Sequence, residues 1–320
     1  MEIVTTDSVS IVETPTWKRP LELLNSGETV KICAPMVRYS KLAFRMLVRQ
    51  YDCDLAFTPM IVSDSFIKSV RARDSDFSTC KGDRPLIVQF AANNSTDLAT
   101  AAEIVYPFSD GIDLNCGCPQ KWAMADGYGS SLIYKSELLC DMIKQTRNRV
   151  PDTDFTVSIK IRIHPDIRQT VDLCQKAEQC GVSFISVHGR TKDERTNPVN
   201  IEAIRSINDS VGIPVIANGD IKTLQDVKHV VTETGVNGVM AARGILTNPT
   251  MYTGSDVTSI QCIKQWCDLA LDLGTPFPIF HHHLIYMMEK LLCRSERRIF
   301  NSLVSTTGVL EFLKDNYNIS

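Results

Sequence analysis

Short, almost wholly apolar runs recur along the chain, and each run ends in small or polar residues. The residues after each run place apolar side chains at helical spacing. Continuous apolar strands that alternate with helices indicate a parallel sheet that is buried on both faces. The predicted strands are residues 30–36, 54–61, 85–90, 111–117, 156–162, 184–190, 214–220 and 238–244.

Eight strand–helix units in about 250 residues predict an α/β fold, a (β/α)8 TIM barrel rather than an open sheet. Ser40, Asp97 and Asp166 are predicted N-caps of three helices, and Gly181 is predicted to end the helix that follows Asp166. The longest interval follows the fourth strand. It predicts an extended loop at the end of the barrel where active sites form.

The strand pattern stops after Pro249, and residues 259–273, 281–293, 296–305 and 309–317 are predicted to be helices. We therefore expect a loose N-terminal leader at 1–20, a TIM-barrel catalytic domain at 21–255 and a small all-helical domain at 256–320. Residues 1–17 contain three acids and no Lys or Arg, which argues against a secretory signal or a transit peptide. We expect a cytoplasmic protein, with an additional nuclear fraction as the alternative.

Composition is that of an ordinary globular protein, with 43% apolar and 22% charged residues in 320. No run approaches the roughly 18 apolar residues of a membrane span, so we expect no membrane contact. The 11 cysteines form no CxxC pair, so we expect most of them to be reduced and none to bind metal. The histidines at 281–283 point in three directions on a helix, which also disfavours a metal site. A net charge of −3 confines any nucleic-acid binding to local patches.

Two glycine-containing turns end the seventh and eighth predicted strands. Barrel enzymes bind phosphate at these two loops, where backbone N–H groups converge. Glycine lets a backbone approach a phosphate, and Arg243 supplies a cation. Ordinary turn chemistry is the alternative. The two turns are Asn218-Gly219-Asp220 and Ala242-Arg243-Gly244.

Polar side chains end several other strands. Lys160 and Arg162 end the fifth strand, His188 and Arg190 end the sixth, and Gln89 ends the third. Such groups in a barrel mouth are costly unless a ligand or counter-charge pairs them. A planar, electron-accepting ring would suit them, because Lys160 can stabilise the anion formed on reduction. A structural ring of salt bridges is the alternative.

The fourth strand ends in two cysteines. Strand alternation turns Cys116 towards the barrel wall and places Cys118 at the mouth, before Pro119. A thiol in water is mostly protonated at neutral pH, so Cys118 at the root of a long loop can donate a proton. Core packing is the alternative for both thiols.

Seven motifs follow one another along the chain: CAPM, IVQFAAN, DLNCGCPQ, SIKIRI, VHGRT, IPVIANGDI and MAARGILTNP. In this order they resemble the tRNA-dihydrouridine synthase family. The resemblance extends from Lys31 to the C-terminus, and the chain looks most similar to the eukaryotic subfamily assigned to uridines 20a and 20b of cytosolic tRNA.

The resemblance implies an FMN enzyme that uses NADPH or NADH to reduce D-loop uridines to 5,6-dihydrouridine. Flavin N5 would pass hydride to C6 of the uracil, and Cys118 matches the family's proton donor to C5. Asn115, Lys160, Arg162 and Arg190 match positions near the substrate base. The residues that match FMN-binding positions are Ala34, Pro35, Met36, Gln89, Lys160, His188, Asn218, Gly219, Asp220, Ala242 and Arg243.

A basic stripe is the best local signal for tRNA contact. Lys290, Arg294 and Arg297 are predicted to share one helix face with Asn301, beside Arg298. Cations so arranged can bind phosphates, and an ordinary solvated helix face is the alternative. We expect tRNA as the partner and a monomeric protein.

Three other functions compete with this interpretation. A barrel flavoenzyme for a small molecule would turn over without tRNA, and the basic helical domain argues against it. A tRNA-binding paralogue without catalysis has no need for Cys118, Lys160 and His188 together. The spacing of the cysteines disfavours a metal- or disulfide-stabilised scaffold.

Overall fold

Nine strands, all paired in parallel, form the centre of the part of the molecule that the structure describes. The structure is a computed structural model that describes residues 17–319, so most of the predicted leader lies outside the described residues. The strands are β1 Val30–Cys33, β2 Leu55–Phe57, β3 Ile61–Val62, β4 Leu86–Ala91, β5 Gly111–Cys116, β6 Thr156–Arg162, β7 Ile185–His188, β8 Val215–Asn218 and β9 Gly238–Ala241.

The sheet closes into a barrel. Strand β1 pairs with both β2 and β9, and β2 also pairs with β4, so eight strands form a ring. The predicted (β/α)8 TIM barrel is confirmed. The second predicted run is divided at residues 58–60, where Pro59 has no N–H for a ladder, and β3 pairs separately with the end of β4.

Helices surround the barrel, and three short 3₁₀ turns, Tyr106–Phe108, Gly129–Tyr134 and Met251–Thr253, join elements. The helices are α1 Pro20–Leu24, α2 Leu42–Arg49, α3 Ser63–Lys68, α4 Val70–Asp76, α5 Ser95–Val105, α6 Lys121–Ala125, α7 Ser136–Arg149, α8 Ile167–Gln179, α9 Ile201–Asn208, α10 Leu224–Thr234, α11 Arg243–Thr247, α12 Ile260–Asp272, α13 Phe277–Met287, α14 Arg294–Asn301 and α15 Thr306–Tyr317.

Two of the predicted helix caps are wrong. Lys41 occupies the N-cap of α2, and the Ser40 hydroxyl instead accepts a hydrogen bond from the Met36 N–H at 2.9 Å. Asn94, not Asp97, caps α5. The Asp166 cap of α8 is confirmed, and the glycine after that helix has the positive φ of 96° expected at its end.

One disulfide was not predicted. Cys140 of α7 and Cys180 at the end of α8 are bonded, with 5.4 Å between their Cα atoms. The other nine cysteines are free, which agrees with the expectation that most are reduced. Forty residues separate the bonded pair, so sequence spacing gives no signal for it.

The C-terminal region is helical, as predicted, and it packs on the barrel through α2. The ring centroid of Phe44 on α2 lies 4.5 Å from that of His283 on α13 and 6.3 Å from that of Trp266 on α12. His283 Nε2 also lies 3.2 Å from the Tyr39 carbonyl oxygen, beyond the end of β1. The domain division at 255/256 stays a prediction.

No helix between residues 17 and 319 combines the length and the apolar character that a bilayer span requires.

Candidate active site

Two adjoining cavities open at the carboxyl ends of the strands. The larger has a volume of about 350 Å³, and the smaller about 230 Å³. Arg162 and His188 line both, so the cavities form one continuous site. The larger also contains Pro35, Gln89, Asn115, Cys118 and Lys160, and the smaller contains Arg190, Asn218, Gly219, Asp220, Ala242 and Arg243.

A buried hydrogen-bond network lies at the base of the larger cavity. Gln89 Nε2 donates to Asp113 Oδ2 at 2.7 Å, and Gln89 Oε1 accepts from Asn115 Nδ2 at 2.9 Å. Ser158 donates to the other Asp113 oxygen at 2.7 Å. Burial raises the pKa of Asp113 to about 6. The network fixes the amide of Gln89. Asp113 was missed as a site residue, although its alternation with Asn115 along β5 was a signal for it.

The Lys160 ammonium is fixed in the site by β8. Its Nζ donates to Asn218 Oδ1 at 2.9 Å, and Asn218 Nδ2 donates to the Met240 carbonyl at 2.8 Å. Burial lowers the pKa of Lys160 to about 8, against the opposing effect of the Asp113 carboxylate. Lys160 is therefore mostly protonated at neutral pH, but only by a small margin.

His188 is a neutral imidazole. Burial lowers its pKa to about 2, and the positive charges of Lys160, Arg162 and Arg190 add to that effect. His188 Nε2 lies 3.2 Å from Arg190 Nη1, which can only donate. Nε2 is therefore the acceptor, and the ring proton lies on Nδ1, so His188 can act as a hydrogen-bond donor through that atom.

The two arginines that were predicted near the substrate are held by backbone carbonyls and an acid. Arg162 Nη1 donates to the carbonyls of Thr191 at 2.7 Å and Glu194 at 3.0 Å. Arg190 bonds Asp220 at 2.5 Å, and its side chain is only 3% exposed. The structure thus places Arg162 in the cavity wall and Arg190 in a supporting position beneath His188. Their substrate contacts stay predictions.

The turn after β8 needs glycine. Gly219 has φ 118°, and a Cβ there would lie 2.6 Å from Val199 Cγ2 and 2.9 Å from His188 Cδ2. Asp220 is a non-glycine residue with φ 54°. Such backbone outliers concentrate at functional sites. The exposed side chain of Arg243 lies across this turn, 3.9 Å from Asp220.

Cys118 is positioned by contacts on both sides of its peptide. Asn115 Oδ1 accepts from the Cys118 N–H at 2.9 Å, and the Cys118 carbonyl accepts from the Ser130 N–H at 3.0 Å. Gly129 approaches so closely that a Cβ there would lie 2.6 Å from that carbonyl oxygen. Cys116 is fully buried, whereas Cys118 is partly exposed in the larger cavity.

The proposed basic stripe is divided. Helix α13 ends at Met287, so Lys290 lies in a turn and not on the helix of Arg294, Arg297 and Arg298; the prediction of one shared helix face is wrong. Lys290 donates to the Asp256 carbonyl at 3.0 Å, and Arg297 donates to the Glu289 carbonyl at 2.5 Å. Arg294 and Arg298 are exposed on α14.

Within residues 17–319, no three His, Cys, Asp or Glu side chains cluster in a way that could hold a metal ion. A closed parallel barrel with a thiol, an ammonium and a neutral imidazole at the carboxyl ends of its strands has the organisation of a TIM-barrel enzyme.

Comparison with known proteins assigns the family. The dihydrouridine synthase (Dus) family model matches residues 32–311, so the chain belongs to this family. It is 58% identical to a human tRNA-dihydrouridine(20a/20b) synthase [NAD(P)+]-like protein, over 94% of this chain and 95% of that one. It is 43% identical to the tRNA-dihydrouridine(20a/20b) synthase [NAD(P)+] of Saccharomyces cerevisiae, over 83% and 73%. The solved structure of histamine dehydrogenase from Rhizobium aligns with a TM-score of 0.54 and 11% identity, over 75% of this chain and 48% of that one, and supports the fold alone.

Proposed function

We propose that this protein reduces uridines in the D loop of tRNA to 5,6-dihydrouridine with FMN and NADPH or NADH. Positions 20a and 20b are the proposed targets, as in the names of the similar human and yeast proteins. The observation that carries the proposal is that Cys118 and Lys160 line one cavity at the barrel mouth. A proton donor and a cation are the two groups that this reduction requires.

The residues of the two cavities fit FMN. Neutral His188 and protonated Lys160 can donate to the acceptors at one edge of the flavin ring, beside the fixed amide of Gln89. The Gly219 turn and Arg243 can hold the phosphate in the smaller cavity. Residues 34–36, after β1, would contact the ring from the other side of the mouth. Bound FMN would supply hydride to C6 of the uracil.

The chain's own groups complete the proposed reaction. Cys118 Sγ gives a proton to C5, so hydride and proton together consume the C5–C6 double bond, and the thiolate regains its proton from solvent. Lys160 and Arg162 stabilise the negative charge that develops on the uracil carbonyl. Asn115 binds the Cys118 N–H and orients the donor. The target base must leave its stack to reach this depth.

We also propose that residues 256–320 contact the tRNA, through Arg294 and Arg298 among other cations. We propose that the protein is a monomer and that it is located in the cytoplasm, with an additional nuclear fraction as the alternative.

The first experiment is an absorbance spectrum of the purified protein, followed by anaerobic NADPH and then unmodified tRNA. We expect a flavin spectrum that bleaches with NADPH and recovers only when tRNA is added. A colourless protein that takes up no FMN contradicts the enzyme, and recovery with free uridine as fast as with tRNA favours a small-molecule reductase.

The Cys118→Ala variant tests the proton donor. It should keep the flavin spectrum and the reduction by NADPH, but lose nearly all dihydrouridine formation. Unchanged product formation in this variant removes Cys118 as the acid.

A further inference from the structure

Trp122 is a large exposed apolar ring beside the proposed proton donor. It lies on α6, four residues after Cys118, and both side chains line the same cavity. The indole is 45% exposed. Met60 and Val62 line the cavity with it, and the three side chains form an apolar wall in this cavity. The proposed reduction assigns no role to this wall.

The indole is held in one orientation. Its N–H donates to Gln120 Oε1 at 2.5 Å, and its ring meets Tyr128 edge to face, with 6.5 Å between centroids. Helix α6 is anchored beneath it, because Ala123 and Tyr128 are buried against Ala91 of β4. The polar atom of the indole is therefore satisfied within the protein, and the exposed remainder is an apolar ring surface.

We propose that Trp122 forms a stacking subsite for the nucleobase that adjoins the target uridine in single-stranded RNA. This inference rests on the proposed function. A base that reacts must reach Cys118 inside the cavity, whereas Trp122 lies at the exposed rim. When the target uridine is inside the cavity, the base that can reach Trp122 at the rim is the neighbouring base of the RNA strand. Base–aromatic stacking contributes roughly tenfold in affinity per base and tolerates any base.

Two exposed cations adjoin residues of this cavity in the sequence. Lys121 precedes Trp122 on α6, and Arg38 follows the cavity residue Val37; both side chains are exposed. The chain as a whole carries a net charge of −3, so these cations are a local feature. A stacked base at Trp122 would bring its phosphate near them.

Two substitutions of Trp122 in the FMN-loaded protein, one to leucine and one to phenylalanine, test the subsite by steady-state kinetics. Trp122→Leu removes the aromatic face, and we expect the KM for tRNA to rise about tenfold with kcat changed less than about threefold. Trp122→Phe keeps a ring and should restore most of the tRNA affinity. Bleaching of the flavin by NADPH should be unchanged in both variants.

Tryptophan emission gives a readout that needs no turnover. The chain has three tryptophans; Trp266 is buried, and Trp17 donates to Asp110 at the opposite end of the barrel. Unmodified tRNA should quench part of the emission of the wild-type protein. Trp122→Phe should abolish that quench, and the matched control Trp17→Phe should retain it.

Each result decides the proposal. A quench that persists in Trp122→Phe, or a tRNA KM unchanged in Trp122→Leu while the wild-type protein forms dihydrouridine, overturns the subsite and leaves the proposed function intact. A raised KM for NADPH in place of that for tRNA assigns the indole to the nicotinamide ring and also overturns it. If the wild-type protein forms no dihydrouridine but shows a Trp122-dependent quench, the proposed reduction fails, and the result supports only the binding of RNA at Trp122.

Discussion

Replacing Gly129 with alanine should displace Cys118 without changing the identity of any cavity-lining residue. A Cβ at Gly129 would lie 2.6 Å from the Cys118 carbonyl oxygen and 2.9 Å from Cys118 Cβ. To reach an ordinary 3.4 Å contact, one of the two backbones must move about 0.8 Å. Because misplacement by about 1 Å can cost roughly 100-fold in rate, we expect a drop of that order in dihydrouridine formation.

Gly127 provides a matched control in the same loop. It also has a positive φ, of 83°, so alanine there carries a similar backbone cost, about 1 kcal/mol of stability. Its Cβ would meet only Asn93 Cβ, at an ordinary 3.5 Å. Gly127→Ala should therefore lose stability but keep its rate.

Rapid mixing separates the two half-reactions of the Gly129→Ala variant. Reduction of the flavin by NADPH should match the wild-type protein, and oxidation of the reduced flavin by tRNA should be slowed about 100-fold. Equal tRNA-dependent rates in Gly129→Ala and Gly127→Ala would refute the reasoning that the Gly129 contact positions Cys118.

Three further variants test the charges of the molecule. The kcat/KM of the wild-type protein should fall as pH rises through about 8, where Lys160 loses its proton. The carboxylate of Asp113 raises the pKa of Lys160, so Asp113→Asn should move this fall to lower pH. Asp83→Ala should lower the free energy of unfolding in urea by about 3–5 kcal/mol, because it leaves the buried guanidinium of Arg45 without its carboxylate partner. Changing Arg294 and Arg298 together to Ala should reduce the slope of log affinity for tRNA against log salt by roughly 1.5.

Controls accompany these variants. Asp172→Asn breaks an exposed pair with Lys176 and should change the free energy of unfolding by less than about 1 kcal/mol. Arg149→Ala removes an exposed cation at the end of α7, away from the mouth, and should leave the salt slope unchanged. A pH profile that does not move in Asp113→Asn contradicts the coupling of that carboxylate to Lys160.

The barrel could be predicted from sequence because its strands are buried on both faces. The run 156–162 carries the β-branched apolar residues Val157, Ile159 and Ile161 and ends in Arg162, and the structure has a strand with those bounds. The positions of Gln89, Lys160 and His188 at the ends of predicted strands also indicated that they share the mouth of the barrel, and in the structure they line one cavity there. Their roles towards FMN and uracil stay predictions.

Contacts between distant segments could not be predicted in the same way. Asp113 is a buried acid whose partner Ser158 lies 45 residues away, so only the folded register brings them together. Periodicity also failed at the end of α13. The apolar residues Leu291 and Leu292 continue a helical pattern, but the chain leaves the helix after Met287 and takes Lys290 out of the predicted face.

The packing of the C-terminal helices on α2 limits how family members could be recombined. Phe44 of α2 and Trp266 of α12 are both fully buried, and His283 lies between them against the backbone that follows β1. A chimera that takes residues 256–320 from a relative replaces the segment of Trp266 and His283 but keeps Phe44 of the original barrel. A chimera that keeps this packing therefore requires α2 to be transplanted together with residues 256–320, because the hybrid otherwise has a mismatched core.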